Sequence, residues 1–186
     1  MKNYTNDRKD PLDAQRAQDG EKTRWPFFKF AWNENDFTPL QREWIAMGVN
    51  AASRLGPTCV WVVDGTHDIL VRHWPEDNSV NPTTNTTPNA GLFTILPDGS
   101  REIWLDPTGL HGEAAWTIAA AQETIHAFGV MSHVPRALGS AIMNPVLPEL
   151  TFNPDPAVTD LDGDNGPRYP TQLDQDEYDR VHGRKP

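Results

Sequence analysis

The chain has 186 residues, close to the ~150 of one domain, so a single compact domain with extended ends is expected. Sixteen Lys and Arg against 26 Asp and Glu leave a net charge of −10 and a pI of about 4.9. That balance argues against a protein that tracks nucleic-acid phosphates or anionic membranes, and leaves a basic partner or a cation open. Cys59 is the only cysteine, which excludes an intramolecular disulfide framework and a multi-cysteine zinc site. Any metal would have to sit on histidine and oxygen donors.

Residues 1–24 are charged from the second residue and lack the apolar stretch of ~7–15 residues that a secretory leader needs, so they are expected to form an extended arm. The expected location is therefore cytoplasmic or within an assembled particle. The longest apolar runs, Cys59–Val63 and Ala114–Ala121, fall short of the ~18 residues that cross a bilayer. The sequons at Asn3 and Asn85 gain no functional meaning without an export route.

The domain is expected to span 25–183, with 184–186 as a tail. Its first hydrophobic segment, Trp25–Trp32, is dense in aromatics and suits an edge strand or a segment laid on the core. Thr38-Pro39-Leu40-Gln41 then combines an N-cap, a first-turn proline and a capping box, with Phe37 as a staple. Leu40, Trp44, Met47, Ala51 and Leu55 recur at helical spacing, and Gly56-Pro57 stops the run, which predicts an amphipathic helix over about 39–55.

Strands are predicted at Thr58–Val63, Asp68–Trp74, Gly91–Leu96 and Arg101–Leu105, the last two joined by a hairpin turn at Pro97-Asp98-Gly99. Between the inner pairs, 76–90 is a polar loop too poor in apolar residues to fold alone. A second helix is expected over roughly 113–128, with Ala114, Ile118, Ala121, Ile125 and Phe128 as its buried stripe and Gly129 as its terminating glycine. A short helix, Gln172–Val181, precedes Gly183. Mixed strands and helices in this order make the fold α+β.

On the second helix Gln122 and His126 stand four residues apart on one face, with Glu123 beside Gln122. After Gly129 come His133 and the turn Ser140-Ala141-Ile142-Met143-Asn144-Pro145. Written out, the segment is Q-E-T-I-H-A-F-G-V-M-S-H followed by S-A-I-M-N-P. This pattern resembles the metzincin zinc endopeptidases, in particular the matrixin-like branch, whose signature is H-E-x-x-H-x-x-G-x-x-H plus a methionine turn.

The resemblance implies a twisted mixed sheet of four to five strands packed on two long helices, with a short C-terminal helix. It implies Zn2+ as the cofactor, Glu123 as the general base, and His126 as a zinc ligand, with Gly129 as the turn glycine and Met143 as the Met-turn methionine. Two positions depart from the signature. Gln122 stands where the first histidine belongs, either as a poor oxygen ligand or as the holder of a ligating water. Ser132 stands where the third histidine belongs, with His133 one residue late, so a wider turn is required for that ring to reach the metal.

Other residues read more plainly. His67, His73, His111 and His182 are isolated and read as structural or exposed, His111 being notable only because it opens the second helix. Trp61, Trp74, Trp104 and Trp116 read as core or sheet-surface aromatics. Asp160, Asp162 and Asp164 lie in an oxygen-rich turn that reads first as a solvated acidic loop and second as a Ca2+ site, since Asn165 and Thr171 replace the Gly and Glu of an EF-hand.

Two functions follow. The first is a matrixin-like fold with a degraded zinc site and weak or no peptide-bond hydrolysis, acting on a protein or peptide, or an active zinc endopeptidase if zinc is kept. The second is a structural or binding module of a larger homo- or hetero-assembly such as a virus particle.

Overall fold

The computed structural model describes residues 27–33, 35–63, 65–74, 91–107, 109–134, 138, 141–143 and 169–183. The proposed arm, the 76–90 loop, the tail and the acidic turn of Asp160, Asp162 and Asp164 lie outside the described residues. In chain order the elements are β1 (Phe27–Trp32), α1 (Pro39–Ala52) with a 3-10 turn at Ser53–Leu55, β2 (Thr58–Trp61), β3 (Ile69–His73), β4 (Gly91–Ile95), β5 (Arg101–Leu105), α2 (Gly112–Ala127) and α3 (Gln172–Val181). The fold is α+β: a five-stranded, mostly parallel sheet with three helices among the described residues. No helix among them is long and apolar enough to cross a membrane.

The sheet order is β2-β1-β3-β5-β4, with only β4 antiparallel to its neighbour. The first aromatic segment, expected as an edge strand or a segment laid on the core, is neither: β1 is an inner strand paired on both sides, by β2 and β3. Its alternation explains this. Phe28 and Phe30 are buried on the helix side, Phe28 packing against Phe128 at 5.2 Å, while exposed Phe27 and half-buried Trp32 lend the segment an edge-like look. The β4–β5 hairpin forms as its turn residues demand. Gly99 takes φ +85°, its N–H donates to the Leu96 carbonyl at 2.8 Å, and Asp98 accepts from the Ser100 amide and hydroxyl.

Helix α1 begins with the expected box: Thr38 Oγ1 accepts from the Gln41 amide at 3.3 Å, and the Gln41 side chain accepts from the Thr38 amide at 2.9 Å. Its buried face is the expected one only in part: Ala51 and Leu55 are buried and Trp44 packs half-buried on the core. Leu40 and Met47 are exposed, and the inward residues are Ile45, Gly48, Val49, Ala51 and Ala52. Gly48 decides the rotation, because a Cβ there would lie 2.3 Å from the Thr117 carbonyl and 2.8 Å from Ala120 Cβ on α2. The two backbones approach as closely as small residues allow, so helix contact outweighs the larger side chains. The helix also ends at Ala52 and tightens into the 3-10 turn rather than running to 55.

Helix α2 was expected to bury one stripe, yet it is enclosed almost all round, between the sheet and α1, with Ile118 half-buried. Its polar residues Thr117, Gln122, Glu123, Thr124 and His126 are buried too, and this is what creates a site. Gly48→Ala should destabilise the protein by about 1–3 kcal/mol, as overpacking of a filled contact does, read as a lowered urea midpoint. Leu40→Ala, on the exposed face of the same helix, should leave the midpoint nearly unchanged.

Candidate metal centre

The last two turns of α2 carry Gln122, Glu123 and His126, and Gly129 reverses the chain directly after them. Gly129 adopts φ +102°, a conformation that glycine alone enters freely, and its N–H donates to the His126 carbonyl at 2.9 Å. The reversal brings the Val130 carbonyl back to 2.7 Å from His126 Nδ1. A carbonyl only accepts, so Nδ1 carries the proton and, in the neutral ring, Nε2 carries the lone pair. A metal-binding imidazole is oriented in this way, by a bond from its other nitrogen. The partner is a backbone atom, so no side chain in the sequence announces it.

The ring of His133 lies 5.1 Å from that of His126, at an interplanar angle of 82°. Two imidazoles bound at ~2.1 Å to one ion in tetrahedral geometry place their centroids ~5 Å apart, a spacing that edge-to-face ring packing produces as well. The extra residue before His133 therefore does not keep its ring away. Ser132 turns the other way: its hydroxyl donates to Glu177 on α3 and accepts from Arg180 Nη2 at 3.2 Å, while Glu177 and Arg180 pair with each other at 2.6 Å. With Ser132 held outward on α3, the next residue along is the one turned toward His126. Burial lowers the His133 pKa and so favours the neutral ring that a metal requires.

Glu123 is engaged elsewhere. Its Oε2 accepts from the Phe93 amide on β4 at 2.6 Å. Within the hairpin the Leu96 amide points to β5, where it meets the Ser100 carbonyl, so by alternation the Phe93 amide faces the outer edge of the sheet. The carboxyl reaches it across Gly91, where a Cβ would lie 2.8 Å from Glu123 Cγ. Burial pushes the Glu123 pKa up to about 8, partly opposed by the Phe93 bond. In this conformation the group holds a proton at neutral pH, whereas a general base must begin without one.

The turn at Met143 is anchored by α3. Asp174, fully buried, accepts from the Ile142 amide at 3.1 Å and the Met143 amide at 2.9 Å, and caps its own helix by accepting from the Thr171 amide and hydroxyl at 2.7 and 3.0 Å. Met143 is itself fully buried, and its carbonyl accepts from the Val134 amide at 2.7 Å, tying the turn to the segment that carries His133. At the far end of α3, His182 is buried against Tyr178, with its Cε1 3.6 Å from where a Gly129 Cβ would stand. Of the two expectations for this histidine, structural or exposed, the structural one holds: it packs on the chain reversal.

The fit to zinc is partial. Among the described residues no three His, Cys, Asp or Glu side chains converge to hold a metal, which leaves the two imidazoles and the buried Gln122 amide, one helical turn before His126. One imidazole oriented through its Nδ1, a second ring beside it and a buried amide are the donors available here, fewer than the three protein ligands of an ordinary catalytic zinc site.

Asp174→Ala should cost about 3 kcal/mol in chemical denaturation, because it orphans buried amides in both the Met turn and the α3 cap. Glu123 titrates near 4.5 when unfolded and near 8 when folded, so between those values the native state keeps a proton that the unfolded chain has released. Stability should therefore fall as pH rises through this window, and a series of urea midpoints should show the slope flattened in Glu123→Gln, with that variant the more stable protein at pH 9. The chain matches no protein-family model and no curated protein.

Proposed function

We propose that the chain is a matrixin-like metallopeptidase fold with a degraded zinc site, which binds a divalent metal weakly and hydrolyses peptide bonds weakly or not at all. The observation that carries this reading is the His126–His133 pair, 5.1 Å apart, with His126 Nδ1 fixed by the Val130 carbonyl. The mixed sheet on two long helices, the terminating Gly129 and the Met143 turn held by α3 support it.

In this reading His126 and His133 hold the ion, and Gln122 contributes a weak oxygen or positions a water. Bound zinc would supply Lewis acidity to that water and to a peptide carbonyl. Glu123 would have to give up its proton before it could accept one from water. That requirement, with the missing histidine, is why hydrolysis is weak or absent.

The second reading, a structural or binding module of a larger assembly such as a virus particle, is favoured by the same Glu123. Its bond to the outward amide of β4 gives a carboxyl at this position a structural use that needs no catalysis.

Zinc titration with elemental analysis tests the proposal. Wild type should hold zinc weakly, His126→Ala should hold none, and Gln122→His, which restores the third imidazole, should tighten binding by roughly 100-fold or more. No zinc on wild type or on Gln122→His would overturn the metal reading. Robust peptide hydrolysis by wild type, lost in Glu123→Gln and in chelator, would restore full peptidase function and remove the module reading.

A further inference from the structure

Val130 and Val134 bracket the segment that carries His133, and both are tied down. The Val130 amide donates to the Ile125 carbonyl at 3.3 Å and its carbonyl accepts from His126 Nδ1, while the Val134 amide donates to the Met143 carbonyl at 2.7 Å. Between them Met131, Ser132 and His133 make no backbone hydrogen bond with any described residue. The orientation of such a stretch falls to its side chains.

Ser132 is the side chain that is held. Its hydroxyl donates to Glu177 Oε1 and accepts from Arg180 Nη2 at 3.2 Å. Arg180 grips both oxygens of Glu177, Nε to Oε2 at 2.7 Å and Nη2 to Oε1 at 2.6 Å. A forked guanidinium–carboxylate pair has a fixed shape, and a hydroxyl bonded to both partners is fixed with it. Glu177 follows Asp174 by one turn of α3, and Asp174 holds the Ile142 and Met143 amides. One helix therefore grips the chain on both sides of His133, directly at Ser132 and through the Met143 carbonyl at Val134. Consecutive side chains of a non-helical chain project in different directions, so fixing Ser132 on α3 limits where His133 can point. Its ring lies 5.1 Å from that of His126.

We propose that the Ser132–Glu177–Arg180 contact is a clamp through which α3 positions His133 against His126, so that docking of this helix is coupled to the hold of the histidine pair on a divalent ion. Ser132, Glu177 and Arg180 are positioning residues that act through His133. The coupling to an ion rests on the metal reading of the pair; the clamp itself does not. Such coupling is reciprocal: what α3 contributes to affinity, a bound ion returns as tighter docking of α3.

Metal-free, full-length protein carrying 13C-labelled histidine tests the clamp, and zinc titration of the same protein by calorimetry tests the coupling. Wild type should show a nuclear Overhauser effect between the His126 and His133 rings. Ser132→Ala and Glu177→Ala should weaken it with circular dichroism unchanged, because Asp174 still anchors α3. Ser132→Thr keeps the hydroxyl and should retain the signal. Zinc affinity should fall about 5-fold or more in Ser132→Ala and stay near wild type in Ser132→Thr. Zinc should also slow amide exchange in the last turn of α3 in wild type, and less so in zinc-saturated Ser132→Ala. No inter-ring signal in wild type, or one undiminished in folded Ser132→Ala and Glu177→Ala, would overturn the clamp. A ring signal lost in Ser132→Ala with zinc affinity unchanged would overturn the coupling. Wild type that binds no zinc would overturn the metal reading and the coupling with it, while the metal-free ring signal decides the clamp in either case.

Discussion

At Gly48 the backbones of α1 and α2 come so close that one added methyl would sit 2.3 Å from the Thr117 carbonyl, and this contact seats α2 deep between α1 and the sheet. A helix held there loses its solvent face, so residues that would be ordinary surface polar groups on another helix become buried ones. Buried polar side chains need partners. Glu123 takes the Phe93 amide, Thr124 takes the Ala120 carbonyl at 2.7 Å, and His126 takes the Val130 carbonyl. The candidate centre is thus a product of helix packing before it is a product of chemistry.

The closing helix completes what α2 begins. Asp174 holds the Met turn, Glu177 and Arg180 hold Ser132, and His182 lies against Gly129, so three successive parts of the segment after α2 are fixed by side chains spaced along α3. Those anchors settle which residue faces His126. With Ser132 turned toward α3, His133 is presented inward although it is one residue late for the signature.

Glu123 shows how one residue can satisfy two opposed interpretations. Placed beside a histidine pair, a carboxyl suggests a base; bonded to the outward amide of an edge strand, across a glycine that leaves room for it, it is an edge cap. Burial bears on both, because the environment that raises the Glu123 pKa to about 8 favours the protonated group at neutral pH and makes the carboxylate a stronger proton acceptor once the proton has left.

Local chemistry was legible in the sequence. The Thr38–Gln41 capping box, the Asp98–Gly99 turn, Gly129 as terminator and the 172–181 helix are written in short-range signals, since each depends on a residue's own φ preference or on a partner a few positions away. The residue types of the centre were legible as well. Only the tertiary structure decided the rest: that β1 is an inner strand, that α1 turns Ile45 and Gly48 inward instead of Leu40 and Met47, that His133 and not Ser132 meets His126, and that Glu123 is bound to β4. Each of these depends on contacts between segments far apart in the chain, made largely through backbone carbonyls and amides, which are the same in every residue and so leave no mark in the sequence.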